Sequence, residues 1–226
     1  MSTITYDPMT ETSIAAEIEQ LVRSPSLPTY VQQFESLLQA EREKRERFYE
    51  EMSEDQKVEF INGEIIVHSP VRLRHNIVNQ NLLVRLSTFV KQGNLGYVGY
   101  EKLLITFMRN DYEPDIVYFG PEKARTFTLD QMKFPAPDFI VEVLSPSTEA
   151  HDRGIKFVDY AIHGVTEYWI VDPDRETVEQ YVLEGQAYNL HIKSKTGELQ
   201  SVAVPGFEIP VRAIFEGTEK LSSGGV

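Results

Sequence analysis

Apolar and polar residues alternate along this chain with two different periods, which separate helical from extended segments. Apolar residues recurring every three to four positions predict helices over residues 12–22, 29–51, 72–91 and 148–163. Short runs of β-branched and aromatic residues predict strands over 58–61, 64–67, 97–100, 103–107, 115–119, 138–144, 167–172, 178–183 and 187–192. Asn62-Gly63 is typical of a two-residue hairpin turn, and Gly93 is expected to cap the third helix. The fourth helix lies between two apolar strands, which indicates a crossover within one sheet.

The same pattern divides the chain into three parts. Residues 1–52 are predicted to form an N-terminal helical arm, 53–216 a compact domain and 217–226 a flexible tail. The arm contains a Ser- and Pro-rich break at 24–28 and a stretch of alternating charge at 41–47, which favours a solvated helix face over a nucleic-acid patch. Because the arm carries apolar stripes outside the domain, we expect a homodimer.

Composition limits the function classes. The 226 residues include 35 acidic and 22 basic ones and no cysteine, giving a net charge of −13. This charge argues against a broad nucleic-acid-binding surface, although it allows a local basic site. The first residues lack the basic and apolar regions of a signal peptide, and no apolar run is long enough to span a membrane. A cytoplasmic protein without disulfides is therefore expected.

Glu142 is the most informative residue, because it interrupts the apolar run of the strand predicted over 138–144. Burying an ionised carboxylate is costly unless it is paired, hydrogen-bonded or bound to a metal. Asp138 lies on the same strand face but about 13 Å away at the usual strand rise, too far to share an ion. Asp115, which follows Pro114 at the start of another apolar strand, is the natural partner. Two such carboxylates would suit Mg²⁺ or Mn²⁺, whereas Asp115 alone is more typical of a turn cap.

The predicted helix at 148–163 offers a cation. Asp152, Lys156 and Tyr160 recur at spacing four and share one face. The core-facing stripe is predicted to be Ile155, Val158 and Ile162. Lys156 would lie beside that stripe, where its ammonium could reach a buried carboxylate. Periodicity alone nevertheless favours an Asp152–Lys156 pair on the surface.

Two further residues are weaker candidates. His75, in the first turns of the third helix, could bind phosphate or assist proton transfer, although a lone histidine is more often structural. Glu64, in the second strand of the hairpin, could bind a metal or its water, or could be an ordinary exposed strand residue.

Taken together, these motifs resemble a known family. They are, in chain order, residues 61–65, 74–75, 113–118, 136–148, 152–156, 160, 164–165 and 167–173. The chain resembles, over about residues 55–215, the Uma-type family of "putative restriction endonucleases", formerly a domain of unknown function. That family belongs to the PD-(D/E)xK nuclease superfamily.

The resemblance implies an α/β restriction-endonuclease-like core, a mixed central sheet flanked by helices, with the N-terminal helices as an extension. Asp115 resembles the aspartate of the superfamily motif and Glu142 its second acid, both as metal ligands for Mg²⁺ or Mn²⁺. Leu144 stands where the superfamily motif has its lysine, and Lys156 matches a lysine that the Uma-type pattern carries on the following helix. Glu64, His75, Asp152 and Tyr160 would be secondary site residues.

The implied activity is metal-dependent hydrolysis of nucleic-acid phosphodiesters, with DNA favoured over RNA as the substrate. Lys156 would orient or deprotonate the water, or stabilise the charge that develops on the phosphate. Leu144 and the acidic charge keep a different reading open, in which a catalytically silent protein of this fold acts as a binding or assembly module. Metal-dependent chemistry on RNA or a nucleotide is a third reading.

Overall fold

The computed structural model describes residues 11–53 and 55–218, so most of the predicted tail, 219–226, lies outside the described residues. The helices in these ranges are α1 Glu11–Val22, α2 Leu27–Glu51, α3 Leu73–Gly93, α4 Pro121–Ala124, α5 Glu149–Asp152, α6 Ile155–Ile162 and α7 Val211–Ile214. The strands are β1 Val58–Ile61, β2 Glu64–Val67, β3 Tyr97–Tyr100, β4 Leu104–Thr106, β5 Asp111–Tyr112, β6 Ile116–Phe119, β7 Lys133–Phe134, β8 Phe139–Val143, β9 Glu167–Asp172, β10 Thr177–Glu184, β11 Ala187–Ser194, β12 Glu198–Gln200 and β13 Glu208–Pro210. Every strand predicted from the sequence is present. None of the helices in these ranges is long and apolar enough to cross a membrane.

A six-stranded mixed sheet forms the centre of the domain. Its strand order is β11-β10-β9-β8-β6-β3, in which β8 and β9 are parallel and the other neighbours are antiparallel. The chain passes from β8 to β9 through α5 and α6, so the predicted crossover is confirmed. Helices flank a mixed sheet as the resemblance implies, and the predicted fold class is therefore confirmed.

A second sheet, which the sequence pattern did not separate from the first, has the order β2-β1-β5-β4-β7. The predicted hairpin pairs β1 with β2 across Asn62-Gly63. Asn62 has φ 51° and Gly63 has φ 81°, as a turn of this type requires. This sheet places β1 next to the central sheet, so that Glu59 on β1 contacts Lys156 on α6.

The inner strands β6, β8 and β9 of the central sheet are buried on both faces. One face packs on α3 and α7, with Leu82 and Trp169 at its centre. The other face packs on α6 and on strands of the second sheet, where Tyr160 and Ile170 are buried. Because neither face of β8 contacts water, any charged side chain on this strand must find its partners inside the protein.

Two helix ends differ from the prediction. Helix α3 includes Gly93, and the residue that caps it in the left-handed conformation is Asn94, with φ 50° and ψ 44°; asparagine is the non-glycine residue that best tolerates this region. The single helix predicted over 148–163 is interrupted at Arg153-Gly154, giving α5 and α6. A Cβ atom at Gly154 would lie 2.7 Å from the carbonyl oxygen of Ala150, so the two helices approach each other too closely for a side chain there.

Helix α2 contacts the domain from Glu41 onward, where the Glu41 carboxylate pairs with Arg109 at 2.6 Å. Arg45 donates hydrogen bonds of 2.6 Å to both carboxylate oxygens of Asp111, and Phe48 is buried against Phe60. From residue 27 to residue 40 every described side chain of α2 is exposed or half-buried. The helix therefore projects from the domain over this length.

Candidate active site

The two candidate acids lie side by side where β6 begins and β8 ends. Asp115 directly precedes β6, and its Oδ2 accepts a 2.9 Å hydrogen bond from the backbone N–H of Val143. The backbone N–H of Asp115 lies 3.4 Å from Oε2 of Glu142. Both residues are buried, Asp115 at 5% and Glu142 at 2% exposure. The antiparallel pairing of β6 and β8 thus brings the two carboxylates together at one edge of the sheet.

The Lys156 ammonium lies between three buried carboxylates. Its Nζ is 3.0 Å from Oε1 of Glu142, 2.9 Å from Oε1 of Glu59 and 3.2 Å from Oδ1 of Asp152. Oε1 of Glu142 accepts a hydrogen bond from this ammonium, whereas Oδ1 of Asp152 is an ion-pair contact without hydrogen-bond geometry. The Asp152–Lys156 pair favoured by periodicity does form, but it is buried and not on the surface.

The buried face of α6 differs from the one predicted, because Val158 and Ile155 of the predicted stripe are only half-buried. Lys156 and Tyr160 are buried, as is Asp152 at the end of α5, whereas Ile162 is exposed. The Tyr160 hydroxyl donates a 2.8 Å hydrogen bond to Oε1 of Glu142. Polar side chains can occupy the buried face because Glu142 and its neighbours satisfy them, whereas an apolar face would leave that carboxylate unpaired.

Glu59, on β1 of the second sheet, was missed by sequence reasoning and is completely buried. Besides holding Lys156, its Oε1 accepts a 3.1 Å hydrogen bond from the backbone N–H of Glu113, and Oε2 lies 3.0 Å from Nε2 of His68. One signal could have found it. Glu59 stands between Val58 and Phe60 in an apolar strand, as Glu142 does in its own.

The remaining predicted residues have different surroundings. His75 is buried, and its Nε2 lies 3.3 Å from Oδ2 of Asp115. Glu64 begins β2 with an exposed side chain and has no contact with the carboxylate cluster among the described residues. Asp138, at the other end of β8, pairs with Lys123 at 2.6 Å. Leu144 packs in the core next to α6, so the superfamily lysine has no counterpart on the strand itself.

A second lysine, Lys57, also reaches the site. Its Nζ lies 2.9 Å from Oδ1 of Asp115, and its side chain remains 22% exposed. No sequence pattern singled it out, because it precedes β1 in a polar stretch. The pair places one more positive charge beside the two candidate acids.

These contacts set the ionisation of the cluster. Burial raises the pKa of Glu142 to about 8, although the Lys156 ammonium opposes that rise. Burial also acts on Glu59, but Lys156 and then His68 outweigh it and lower its pKa to about 2. For Asp115, Lys57 and His75 outweigh burial and hold the pKa well below its usual range. At neutral pH the two lysines therefore face ionised Glu59 and Asp115.

An open cavity of about 590 Å³ adjoins the cluster. Asp115, Glu142, His75, Lys57 and Lys156 all contribute to its wall. The remaining wall is mainly the segment before α3 and the polar turn after β8, namely residues 67–72 and 145–148. The cavity gives a small part of a substrate a path to otherwise buried carboxylates.

The donor types at this cavity suit a hard divalent cation. Asp115 and Glu142 offer carboxylate oxygens, the preferred ligands of Mg²⁺ and Mn²⁺, and the imidazole of His75 lies beside them. Within residues 11–53 and 55–218, however, no three histidine or acidic side chains are arranged so that they could hold an ion. Lys57 and Lys156 neutralise the carboxylates instead. The chemistry of the donors fits a metal, and binding one requires the ion to compete with these ammonium groups.

The mixed sheet and the cluster of acids and lysine at its edge define an α/β protein of the restriction-endonuclease-like class. The chain belongs to the Uma2 family, described as "Putative restriction endonuclease", whose model matches residues 42–212.

Two uncharacterized proteins and one crystal structure are similar to this chain. An uncharacterized Synechocystis protein, sll1609, is 33% identical over 129 residues, covering 56% of this chain and 72% of that protein. A second one, slr1290, is 25% identical over 199 residues, covering 87% of this chain and 98% of that protein. The crystal structure of "a putative nuclease belonging to DUF820" from Anabaena variabilis superposes with a TM-score of 0.65 at 20% identity, over 74% of this chain and 94% of that one. At this identity the last match supports the fold alone.

Family membership places the chain among proteins described as nucleases, which are hydrolases acting on nucleic acid. Restriction-endonuclease-like proteins generally use divalent metals.

Proposed function

We propose that this protein is a Mg²⁺- or Mn²⁺-dependent endonuclease that cleaves DNA at the cavity beside Asp115 and Glu142. The observation that carries the proposal is the convergence of Asp115, Glu142 and Lys156 from three separate elements onto one cavity wall. Membership of a family described as restriction endonucleases supports DNA as the substrate.

In this proposal Asp115 and Glu142 would hold the ion. A bound divalent ion supplies activated water and stabilises negative charge developing on the phosphate. Lys156 keeps a fixed positive charge against Glu142, and the Tyr160 hydroxyl fixes the same carboxylate oxygen. His75 lies beside Oδ2 of Asp115 and orients this carboxylate. Water attacks phosphorus and the P–O bond to the leaving nucleotide breaks, which gives two shorter chains.

The test compares purified variants on plasmid, linear and single-stranded DNA and on RNA, each with Mg²⁺ and with Mn²⁺. Asp115→Asn and Glu142→Gln keep the side-chain volume and should each lower cleavage at least a hundredfold. Asp138→Asn is the matched control, because Asp138 lies on the same strand face but pairs with Lys123 at the other end. If Glu142→Gln retains wild-type cleavage, the proposal fails.

A catalytically silent binding module is the second candidate. It is favoured by one observation, namely that ammonium groups already neutralise the acids that a metal would need. Calorimetric titration separates the two functions. Mn²⁺ binding that disappears in Asp115→Asn supports the nuclease, and no Mn²⁺ binding by the wild type supports the silent module.

The projecting part of α2 supports the expected homodimer as part of this proposal. Residues 27–40 extend about 21 Å at the helical rise. They expose an apolar stripe consisting of Val31, Phe34, Leu37 and Leu38. Sedimentation should give a dimer for the wild type and for the control Leu129→Glu, which alters another exposed leucine, and a monomer for Phe34→Glu. A monomeric wild type would refute the dimer.

A further inference from the structure

We infer that Lys57 is a further catalytic residue of this site, whose ammonium contacts the phosphate being cleaved, while Lys156 acts as a positioning residue for Glu142. The inference rests on the proposed nuclease function and assigns a contact within that same site. Three observations on the two lysines support it.

The first observation is donor supply. The carboxylates of Glu59, Glu142 and Asp152 all lie within 3.2 Å of the Lys156 ammonium, so its charge is already paired inside the protein, although Oδ1 of Asp152 accepts no hydrogen bond from it. Lys57 has one carboxylate partner among the described residues, Asp115 at 2.9 Å. Two of its N–H donors therefore remain for other acceptors, such as phosphate oxygens.

The second observation is access. The Lys57 side chain is 22% exposed, whereas that of Lys156 is 2% exposed. Both line the cavity, but only Lys57 can meet an incoming phosphate without leaving a buried ion network. Moving Lys156 toward a substrate would strip three carboxylates of their cation, which is strongly unfavourable in the interior.

The third observation concerns the oxygen that Lys57 occupies. Oδ2 of Asp115 already accepts the Val143 N–H and lies 3.3 Å from His75, which leaves Oδ1 as the oxygen for a cation. Lys57 binds that oxygen. A divalent ion at Asp115 must therefore compete with Lys57, and its binding would release the ammonium beside the cavity.

This competition predicts that Lys57→Met changes Mn²⁺ affinity and turnover in opposite directions. Lys57→Met should bind Mn²⁺ more tightly, because the competing charge is gone, yet turn over more slowly, because the phosphate loses a charged donor. Loss of one donor to a developing negative charge typically lowers kcat by about a hundredfold to a thousandfold. A purely structural salt bridge would not couple tighter metal binding to slower turnover.

The experiment uses the full chain and measures Mn²⁺ affinity by calorimetry, kcat and KM on a labelled oligonucleotide, and thermal melting. The variants are Lys57→Met, Lys57→Arg and Lys123→Met. The last is the matched control, because Lys123 also pairs with an aspartate at a strand end, but away from the cavity. We expect Lys57→Met to gain Mn²⁺ affinity at least threefold and to lose at least a hundredfold in kcat, with Lys57→Arg intermediate in kcat and Lys123→Met unchanged in both.

Three results would overturn the inference. One is a Lys57→Met variant with a kcat within threefold of wild type. Another is a Lys57→Met variant that binds Mn²⁺ no more tightly than wild type, and this arm remains decisive if the wild type cleaves nothing and the nuclease proposal itself fails. The third is the absence of Mn²⁺ binding in the wild type, which would refute both proposals.

Discussion

The charge on Lys156 should be one of the main determinants of stability, and Lys156→Met tests this directly. The substitution keeps an unbranched chain of similar length but removes the ammonium from three buried carboxylates. Removing one partner of a buried ion pair typically costs about 3–5 kcal/mol. The pKa of Glu59 changes in the direction this predicts, because Lys156 and then His68 outweigh burial and lower it to about 2.

The effect should also depend on pH with a defined sign. The pKa of Glu59 is lower in the folded protein than its usual 4.5, so its ionic stabilisation is complete above about pH 4.5 and is lost as the pH falls toward 2. The difference in unfolding free energy between wild type and Lys156→Met should therefore be largest near neutral pH and should shrink below pH 4.5.

Urea denaturation at several pH values, followed by the fluorescence of the single tryptophan, Trp169, measures this difference, because Trp169 is fully buried. Lys123→Met is the control, since its ion pair is partly exposed and should contribute less than about 1 kcal/mol. The reasoning is refuted if Lys156→Met unfolds within 1 kcal/mol of wild type at pH 7, or if the difference grows on acidification.

Three further predictions concern single positions. Glu179→Gln should lose about 1–2 kcal/mol at pH 7, because Arg153 outweighs burial and lowers the pKa of the buried Glu179 to about 2. In urea denaturation this loss should vanish as the pH falls from 4.5 toward 2, and a difference that persists at pH 2 would contradict the prediction. Gly154→Ala should lower the melting temperature and cost about 1–3 kcal/mol of stability, because the new Cβ would lie 2.7 Å from the carbonyl oxygen of Ala150. An unchanged melting temperature would show that α5 and α6 can move apart without cost. Under the proposed function, Glu64→Gln should keep DNA cleavage within twofold of wild type, because the Glu64 side chain is exposed, and a tenfold loss would show that Glu64 belongs to the site.

The longer strands of this protein could be predicted because their signal is local, whereas β5, β7, β12 and β13 have two or three residues each and were missed. The run around Glu142 and the Asn62-Gly63 turn each fix an element from a few neighbouring residues. The proximity of Asp115 and Glu142 could also be predicted, because an acid at the start of one strand can lie next to an acid near the end of another. Antiparallel pairing of these strands produces that meeting.

The surroundings of Lys156 could not be predicted in the same way. Its helix presents an ordinary apolar stripe, and only the acids on β1 and β8 make the polar face the buried one. Those acids are remote in sequence, so the helical periodicity around Lys156 does not indicate that they contact it. Lys57 is a stronger case, since nothing in a polar stretch before a strand indicates that it contacts Asp115.

The dispersal of the site along the chain has a consequence for how the protein folds. Glu59, Asp115, Glu142 and Lys156 come from four elements, and the contact between the first and last closes a loop from residue 59 to residue 156. Contacts of such long range form slowly, because the entropy of closing the loop is lost before the contact is gained. In a partly folded chain these four charges remain hydrated and apart. Under the proposed function, cleavage activity should therefore appear with the last structural phase of refolding, and an incompletely folded copy would not cleave nucleic acid.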